Sequence, residues 1–265
     1  MRKQLTRIIS VLAVIALTLA LGLAIFAPSA MAELTAKANH DDIKINYNYH
    51  GSTVSVSGVV DPGVDLIIKL ASENGHEKLM RKDREAGIVW MNVEELKFDD
   101  VPGVYFLHST KDPNDLLSAR QLAANGLGYQ GLKENARITP EPSADLKTTL
   151  FDEFIKYKES GGIYGQSVGG IDFAPTDNGG QSYYTLFQWP YQAPPGDYIA
   201  TVYEIRDGQI VDTSTSAVKV EEEGTVKTLT DMAQNNGALY GTAAVGIALT
   251  AGFGVGLVFK GGGSH

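Results

Sequence analysis

Apolar residues along the chain follow two periods, one typical of strands and one typical of helices. From Ile43 to Val60, apolar and polar positions alternate with a period of two, and His50-Gly51-Ser52 in the middle predicts a turn. This region is expected to form a hairpin with one buried face. Further short apolar runs, separated by Pro, Gly, Asn and Asp, continue to Val220. Short strands at this spacing are typical of a β-sandwich or barrel.

The apolar period changes to three and four residues at about 113–160, which predicts a helical insertion. A short first helix is expected to begin after Asp112 or Asn114. A second, amphipathic helix is expected to begin after Ser143 and to end at Gly161-Gly162. We therefore predict two helices between two runs of strands, packed on one edge of the β body.

The segment that opens the next-to-last strand has a composition with a known structural use. Pro195-Gly196-Asp197-Tyr198 precedes an apolar strand, and immunoglobulin-like sandwiches use such an entry to place a tyrosine at a corner. The predicted fold class is accordingly mainly β: an immunoglobulin-like β-sandwich with a helical insertion.

An uncharged apolar segment, Gly237–Phe259, lies near the end of the chain. At about 1.5 Å per residue it is long enough to cross a bilayer as a helix. Its small residues recur at steps of three and four and so share one face: Gly237, Gly241, Ala244, Ala248, Gly252 and Gly256. Because small residues let another helix approach closely, we predict a helix-packing face. The partner would be a second copy or a multi-pass protein; the alternative is a glycine-rich span that faces only lipid.

The first residues resemble an export signal. Arg2, Lys3 and Arg7 precede the apolar run Ile8–Ala27, and Pro28–Ala32 offers a cleavage site of the A-x-A type. This pattern predicts a signal peptide over residues 1–32. An uncleaved anchor is the alternative, because about twenty apolar residues also suffice to span a membrane.

Both alternatives place the body outside the cytoplasm. The predicted organisation after the signal is a periplasmic body (33–224), a linker (225–236), the span (237–259) and a cytoplasmic tail (260–265). The predicted localisation is the bacterial cytoplasmic membrane, with a single span and the body on the periplasmic side. Only Lys260 supports this orientation by the positive-inside rule, so the orientation depends mainly on the signal peptide.

Composition and motifs limit the chemistry. The net charge of −9 and pI near 5.0 argue against a nucleic-acid partner, and the absence of cysteine removes disulfides and thiolate sites. G-x-S-x-G, HExxH and P-loop motifs are absent from the sequence. We therefore predict no catalytic residues, no metal site and no cofactor. The alternative is a periplasmic enzyme or metal-binding protein whose site combines distant residues such as His108, Asp112 and the Asp177 loop.

Several segments together resemble a known family. They are Val60–Asp65, Ala86–Asn92, Val101–Tyr105 with Ser109-Thr110, Pro195–Tyr198, Arg206–Gly208 and Leu239–Gly241. On these residues the chain resembles a family of bacterial transmembrane proteins, first described from alphaproteobacteria, whose function is uncharacterised. The chain departs from the family pattern at Gly103-Val104 and His108.

The resemblance implies a periplasmic β domain, one C-terminal transmembrane helix and no assigned catalytic residue. Members are often encoded beside sulfite-exporter-like permeases, so the resemblance implies a membrane partner of that kind. We therefore expect a membrane-anchored accessory or binding subunit of a membrane protein complex, without catalysis of its own.

Overall fold

The computed structural model describes residues 33–39, 42–85, 89–177 and 179–260. The predicted signal peptide (1–32) and the last five residues of the predicted tail lie outside the described residues. The described part contains thirteen strands and six helices, with more residues in strands than in helices. The prediction of a mainly β fold is confirmed.

Two runs of strands flank the helical insertion, and two further helices follow the last strand. The strands are β1 (Lys37–Ala38), β2 (Asp42–Ile45), β3 (Ser52–Val60), β4 (Asp65–Ser72), β5 (Asn74–Glu85), β6 (Val89–Pro102), β7 (Tyr105–Ser109), β8 (Arg137–Thr139), β9 (Tyr164–Val168), β10 (Ile171–Pro175), β11 (Gln181–Trp189), β12 (Gly196–Arg206) and β13 (Gln209–Glu222). The helices are α1 (Pro113–Leu116), α2 (Ala119–Asn125), α3 (Gly128–Asn135), α4 (Ala144–Ser160), α5 (Thr225–Asn235) and α6 (Gly237–Lys260).

The strands form three sheets. A four-stranded antiparallel sheet has the order β1-β3-β11-β10. A six-stranded sheet has the order β2-β13-β12-β4-β7-β9, in which only the two edge pairs, β13–β2 and β7–β9, are parallel. The third sheet, β5-β6-β8, is antiparallel and includes the long β5–β6 hairpin.

The four-stranded and six-stranded sheets share one hydrophobic core, because alternate residues of their strands point toward each other. Leu66, Ile68 and Leu70 of β4 belong to this core together with Val54 and Val56 of β3. All five side chains are fully buried. Burial of this apolar area is the main source of stability for a chain without disulfides.

The predicted corner tyrosine lies in the same core. The rings of Tyr198 and Trp189 meet edge to face with centroids 4.6 Å apart. The Tyr198 hydroxyl donates to the carbonyl oxygen of Pro194 at 2.6 Å, which is the backbone contact such a tyrosine makes. The immunoglobulin-like strand arrangement itself stays a prediction.

A second core covers the other face of the six-stranded sheet, whereas the sequence pattern predicts the insertion on an edge. Ile67 and Leu107, from two central strands, pack in one cluster with Phe98 of β6 and Phe154 of α4, whose rings stack at 4.5 Å. The insertion therefore lies on a sheet face, and the edge prediction is wrong. The physical reason is visible in β4, where Leu66-Ile67-Ile68 is a continuous apolar run, as a strand buried on both faces requires.

The helical insertion is more divided than predicted. One helix was expected after Asp112, but the Ser118 side chain and Gln121 form a capping box that starts a second short helix, α2. The sequence pattern does not predict α3. It packs closely on α2 at Gly131, where an added Cβ would lie 2.5 Å from the Leu122 carbonyl oxygen. Helix α4 begins directly after Ser143, as the sequence predicts.

Helix α5 connects the body to α6, which contains the apolar segment. Helix α5 follows β13 after Gly224, and α6 begins directly after Asn236. Within α6, the 21 residues Gly237–Leu257 have a mean hydropathy of 1.6, which makes this helix long and apolar enough to cross a membrane. None of its most apolar window is buried by the described part of the chain.

Candidate functional site

A cleft of about 390 Å³ lies between the second face of the six-stranded sheet and the helical insertion. Its floor is formed by β4 and β12, one wall by Tyr105 of β7, and its roof by the connection between α2 and α3. Volumes of about 300–1,000 Å³ are usual for small-molecule sites. The cleft is therefore large enough to hold a small ligand, and we take it as the candidate site of the body.

Strand register explains which side chains form the floor. Lys69 pairs with Thr201 on one side, and two residues further along the same face Ala71 pairs with Ile199. On the other side Ala71 pairs with Tyr105. Since alternate residues of a strand share a face, these side chains form a small grid. The short Ala71 side chain leaves the space that the longer neighbours enclose.

Among the described residues that line the cleft, Lys69 is the only cation. Its ammonium group donates to the Asn125 carbonyl oxygen at 2.7 Å and lies 5.6 Å from the centre of the Tyr203 ring. No carboxylate of the described residues forms an ion pair with it. Because burial disfavours the charged form, the pKa of Lys69 is lowered to about 8. An ammonium group has three N–H donors, so two remain for another acceptor.

Tyr105 fixes the roof above this lysine. Its hydroxyl accepts from the backbone N–H of Gly128 at 2.8 Å and donates to the Gly126 carbonyl oxygen at 3.1 Å. Burial raises the pKa of Tyr105 far above its usual range, so the hydroxyl keeps its proton. Gly126 has φ of 56° at the end of α2, where glycine adopts the left-handed conformation without strain. The tyrosine and this turn together hold α2 and α3 over the floor.

The rim of the cleft is acidic. Glu73 is exposed at the end of β4, and Asp100 is an extra residue of β6 at a β-bulge opposite the Gly75–His76 step. Asp100 has φ of 62°, an uncommon conformation for a residue with a side chain. Its carboxylate pairs with Arg137 at 2.7 Å. The bulge thus fixes one carboxylate at the opening, while the cation lies inside.

The predicted helix-packing residues lie on α6 and are exposed: Gly237, Gly241, Ala244, Ala248, Gly252 and Gly256. A shallow groove on the helix is lined by Ala248, Gly252 and Gly256 together with larger neighbours such as Phe253. An added Cβ at Gly241 or Gly252 would meet nothing within 4 Å. The helix-packing role of these residues stays a prediction.

The family described as "Putative transmembrane protein (Alph_Pro_TM)" matches residues 33–261. The chain belongs to this family. Membership and the apolar helix α6 together show a membrane-anchored protein. No curated protein matches the chain at a significant level.

Segments on which the family resemblance was based meet in the structure. Arg206 donates to the carboxylates of Asp61 and of the buried Glu204, the latter at 2.7 Å. Asp65 accepts from the Thr110 hydroxyl at 2.8 Å and pairs with Lys111 at 2.9 Å. These contacts join the β3–β4 turn to the β12–β13 hairpin and to the segment before α1. The turn-like motifs of the family resemblance therefore have a structural role: they hold these segments together.

The residues of the alternative hypothesis have separate environments. His108 stacks on Phe187 with centroids 4.3 Å apart, its Nδ1 lies 2.6 Å from the Thr185 hydroxyl oxygen, and burial lowers its pKa. Asp112 caps α1 through the Asn114 N–H. Asp177 lies in the turn between β10 and β11. Within the described ranges, no group of three or more His, Cys, Asp or Glu residues is placed to hold a metal ion.

Sequence reasoning missed Lys69. The only available signal was a lysine within the apolar run Leu66–Leu70, which is unusual for a strand that is buried on both faces. The partner of this lysine, Asn125, is 56 residues away in sequence. No local pattern connects the two.

Proposed function

We propose that this family member is an accessory or binding subunit of a membrane protein complex, without catalysis of its own. It is held in the bacterial cytoplasmic membrane by α6, with the β body on the periplasmic side. The observation that carries the proposal is the small-residue face of α6, which no described residue covers.

The physics of helix association supports a partner at this face. Lipid tails are as apolar as the span, so helices associate in membranes mainly through close packing, which small residues permit. Gly241, Ala248 and Gly252 are exposed on α6, and the glycines have open space where a side chain would be. A second helix is therefore the most suitable occupant of the groove. A sulfite-exporter-like permease, implied by the family resemblance, is the first partner to test.

The charge pattern at the two ends of the chain supports the orientation. Arg2, Lys3 and Arg7 precede the first apolar run, as in an export signal, and Lys260 follows the span. The body between them is acidic, with a net charge of −9 for the whole chain. An acidic body does not adhere strongly to anionic lipid, so α6 is the main membrane attachment in this proposal.

Co-purification from mild detergent tests the packing face. The variant Gly241→Leu/Gly252→Leu fills the proposed interface. The control Gly246→Leu/Gly254→Leu adds the same atoms on another side of the helix. Gly246 lies about 140° around the helix from Gly241, and Gly254 lies about 200° from Gly252. We expect a multi-pass partner or a second copy with the wild type and the control, and at least about tenfold less with the interface variant.

Two results would overturn this proposal. One is equal partner recovery with the interface and control variants. The other is a monomer without a partner in all three samples, with the protein still inserted in the membrane fraction.

A further inference from the structure

We propose that the cleft over Ala71 binds a compact organic molecule through one oxyanion group, which pairs with the Lys69 ammonium. This inference does not depend on the partner of α6, because it concerns a different surface of the body. The membrane proposal fails in co-purification, whereas this one fails in direct binding measurements.

The unused donors of Lys69 are the first argument. One N–H is satisfied by the Asn125 carbonyl oxygen at 2.7 Å, and no carboxylate of the described residues is paired with the group. Lys69 is partly buried, and an ammonium group in such a position normally has a carboxylate partner, because a charge without one is costly in a partly apolar environment. An oxyanion in the cleft would supply that partner and accept the remaining donors.

The shape and charge of the cleft define the ligand further. The open space above Ala71 is bounded by Tyr105 and Ile199, which offer apolar surface to the rest of the ligand. Glu73 at the rim has no ion pair among the described residues and disfavours a second negative charge, whereas Arg137 offsets the charge of Asp100. The site therefore fits a monoanion or a zwitterion, such as a small carboxylic acid, and disfavours polyanions.

A purely structural lysine is the competing explanation, and protonation separates the two. The pKa of Lys69 is about 8 in the unliganded cleft. A bound anion favours the ammonium form and raises this pKa, so binding at pH 8 takes up about half a proton per site. The other titratable groups that face the cleft are Glu73, Asp100 with its partner Arg137, Tyr105 and Tyr203. Burial raises the pKa of both tyrosines, so neither ionises near pH 8.

Isothermal titration calorimetry of the full-length protein in detergent tests the inference. The probes are acetate, benzoate and alanine, with benzamide as the neutral match of benzoate. Titrations at pH 8 in two buffers of different ionisation enthalpy measure proton uptake. We expect benzoate to bind at least tenfold more tightly than benzamide, with proton uptake at pH 8 that disappears at pH 6.5.

Two variants locate the site, and circular dichroism checks that each is folded. Lys69→Gln removes the charge, and Ala71→Leu fills the space but keeps the charge; each is expected to weaken binding at least tenfold. Lys156→Gln, at an exposed position of α4, is expected to bind like the wild type. The inference is wrong if none of the three probes binds the wild type, if benzamide binds as well as benzoate, or if Lys69→Gln retains the proton uptake.

Discussion

Lys69 and Lys158 both place an ammonium group beside the second core, but the two charges are compensated differently. Lys158 on α4 is only 2% exposed, and its Nζ lies 2.9 Å from a carboxylate oxygen of Glu77. The rings of Phe154 and Tyr164 lie 5.7 and 5.3 Å from the same nitrogen. Lys69 on β4 has a backbone carbonyl oxygen, one aromatic ring and an open cleft.

The difference shows that burial of a lysine does not by itself indicate a binding site. Lys158 has a carboxylate and two aromatic rings around it, so its contacts serve packing of α4 against the β5–β6 hairpin. Lys69 keeps unused donors next to empty space. The compensation of the charge separates a structural lysine from a candidate ligand-binding lysine.

The largest effect is expected from removing the carboxylate of the structural pair. Glu77→Gln leaves the Lys158 ammonium buried without a counter-charge, and breaking such a pair typically costs about 3–5 kcal/mol of unfolding free energy. Chemical denaturation of the full-length protein in detergent, followed by circular dichroism, measures this loss.

The double variant Glu77→Gln/Lys158→Met is the control for that measurement. Because an apolar side chain replaces the uncompensated charge, we expect most of the lost stability to return. If Glu77→Gln is as stable as the wild type, Lys158 does not depend on its carboxylate and the contrast between the two lysines is wrong.

The second-largest effect on the free energy of unfolding is expected at Lys69, and it depends on pH. The pKa of Lys69 is lowered from 10.5 to about 8 in the folded protein, so below about pH 8 the folded state holds an unfavourable charge. The stabilising contribution of the neutral form is fully present above pH 10.5 and is lost as pH falls through 8. Relative to Lys69→Met, the wild type should therefore gain about 3 kcal/mol between pH 7 and pH 10.5.

Parallel denaturation curves of the wild type and Lys69→Met across this pH range check the sign. Tyrosines away from Lys69 ionise equally in both proteins, so the difference between them reports Lys69 and its neighbour Tyr203. A difference that is constant with pH, or that changes in favour of the variant, would contradict the lowered pKa of this lysine.

The smallest effect is expected at Lys156, two residues before Lys158 on the same helix. Lys156 is exposed and has no ion pair among the described residues. Lys156→Gln should leave the denaturation midpoint unchanged, because surface substitutions away from specific contacts rarely matter. A clear shift would mean that the helix surface near Lys158 affects stability by other contacts.

Local patterns predicted much of the fold, and their range explains what they missed. The period of two identified β3, short apolar runs between turn residues identified β4 and β12, and the Ser143 boundary located the start of α4. The position of the insertion on a sheet face depends on contacts between distant segments, as does the contact between Arg206 and Asp61, 145 residues apart. Helix α3 begins with Gly-Tyr-Gln-Gly, a poor helix former, and its place depends on tertiary packing at Gly131.

Labelling of single cysteines in spheroplasts tests the membrane arrangement most directly. The chain has no cysteine, so Lys156→Cys in the body and Ser264→Cys in the tail each introduce a unique thiol. A membrane-impermeant maleimide should label Lys156→Cys in intact spheroplasts and Ser264→Cys only after permeabilisation. Labelling of the tail but not the body in intact spheroplasts, or of both, would contradict a periplasmic body anchored by one span.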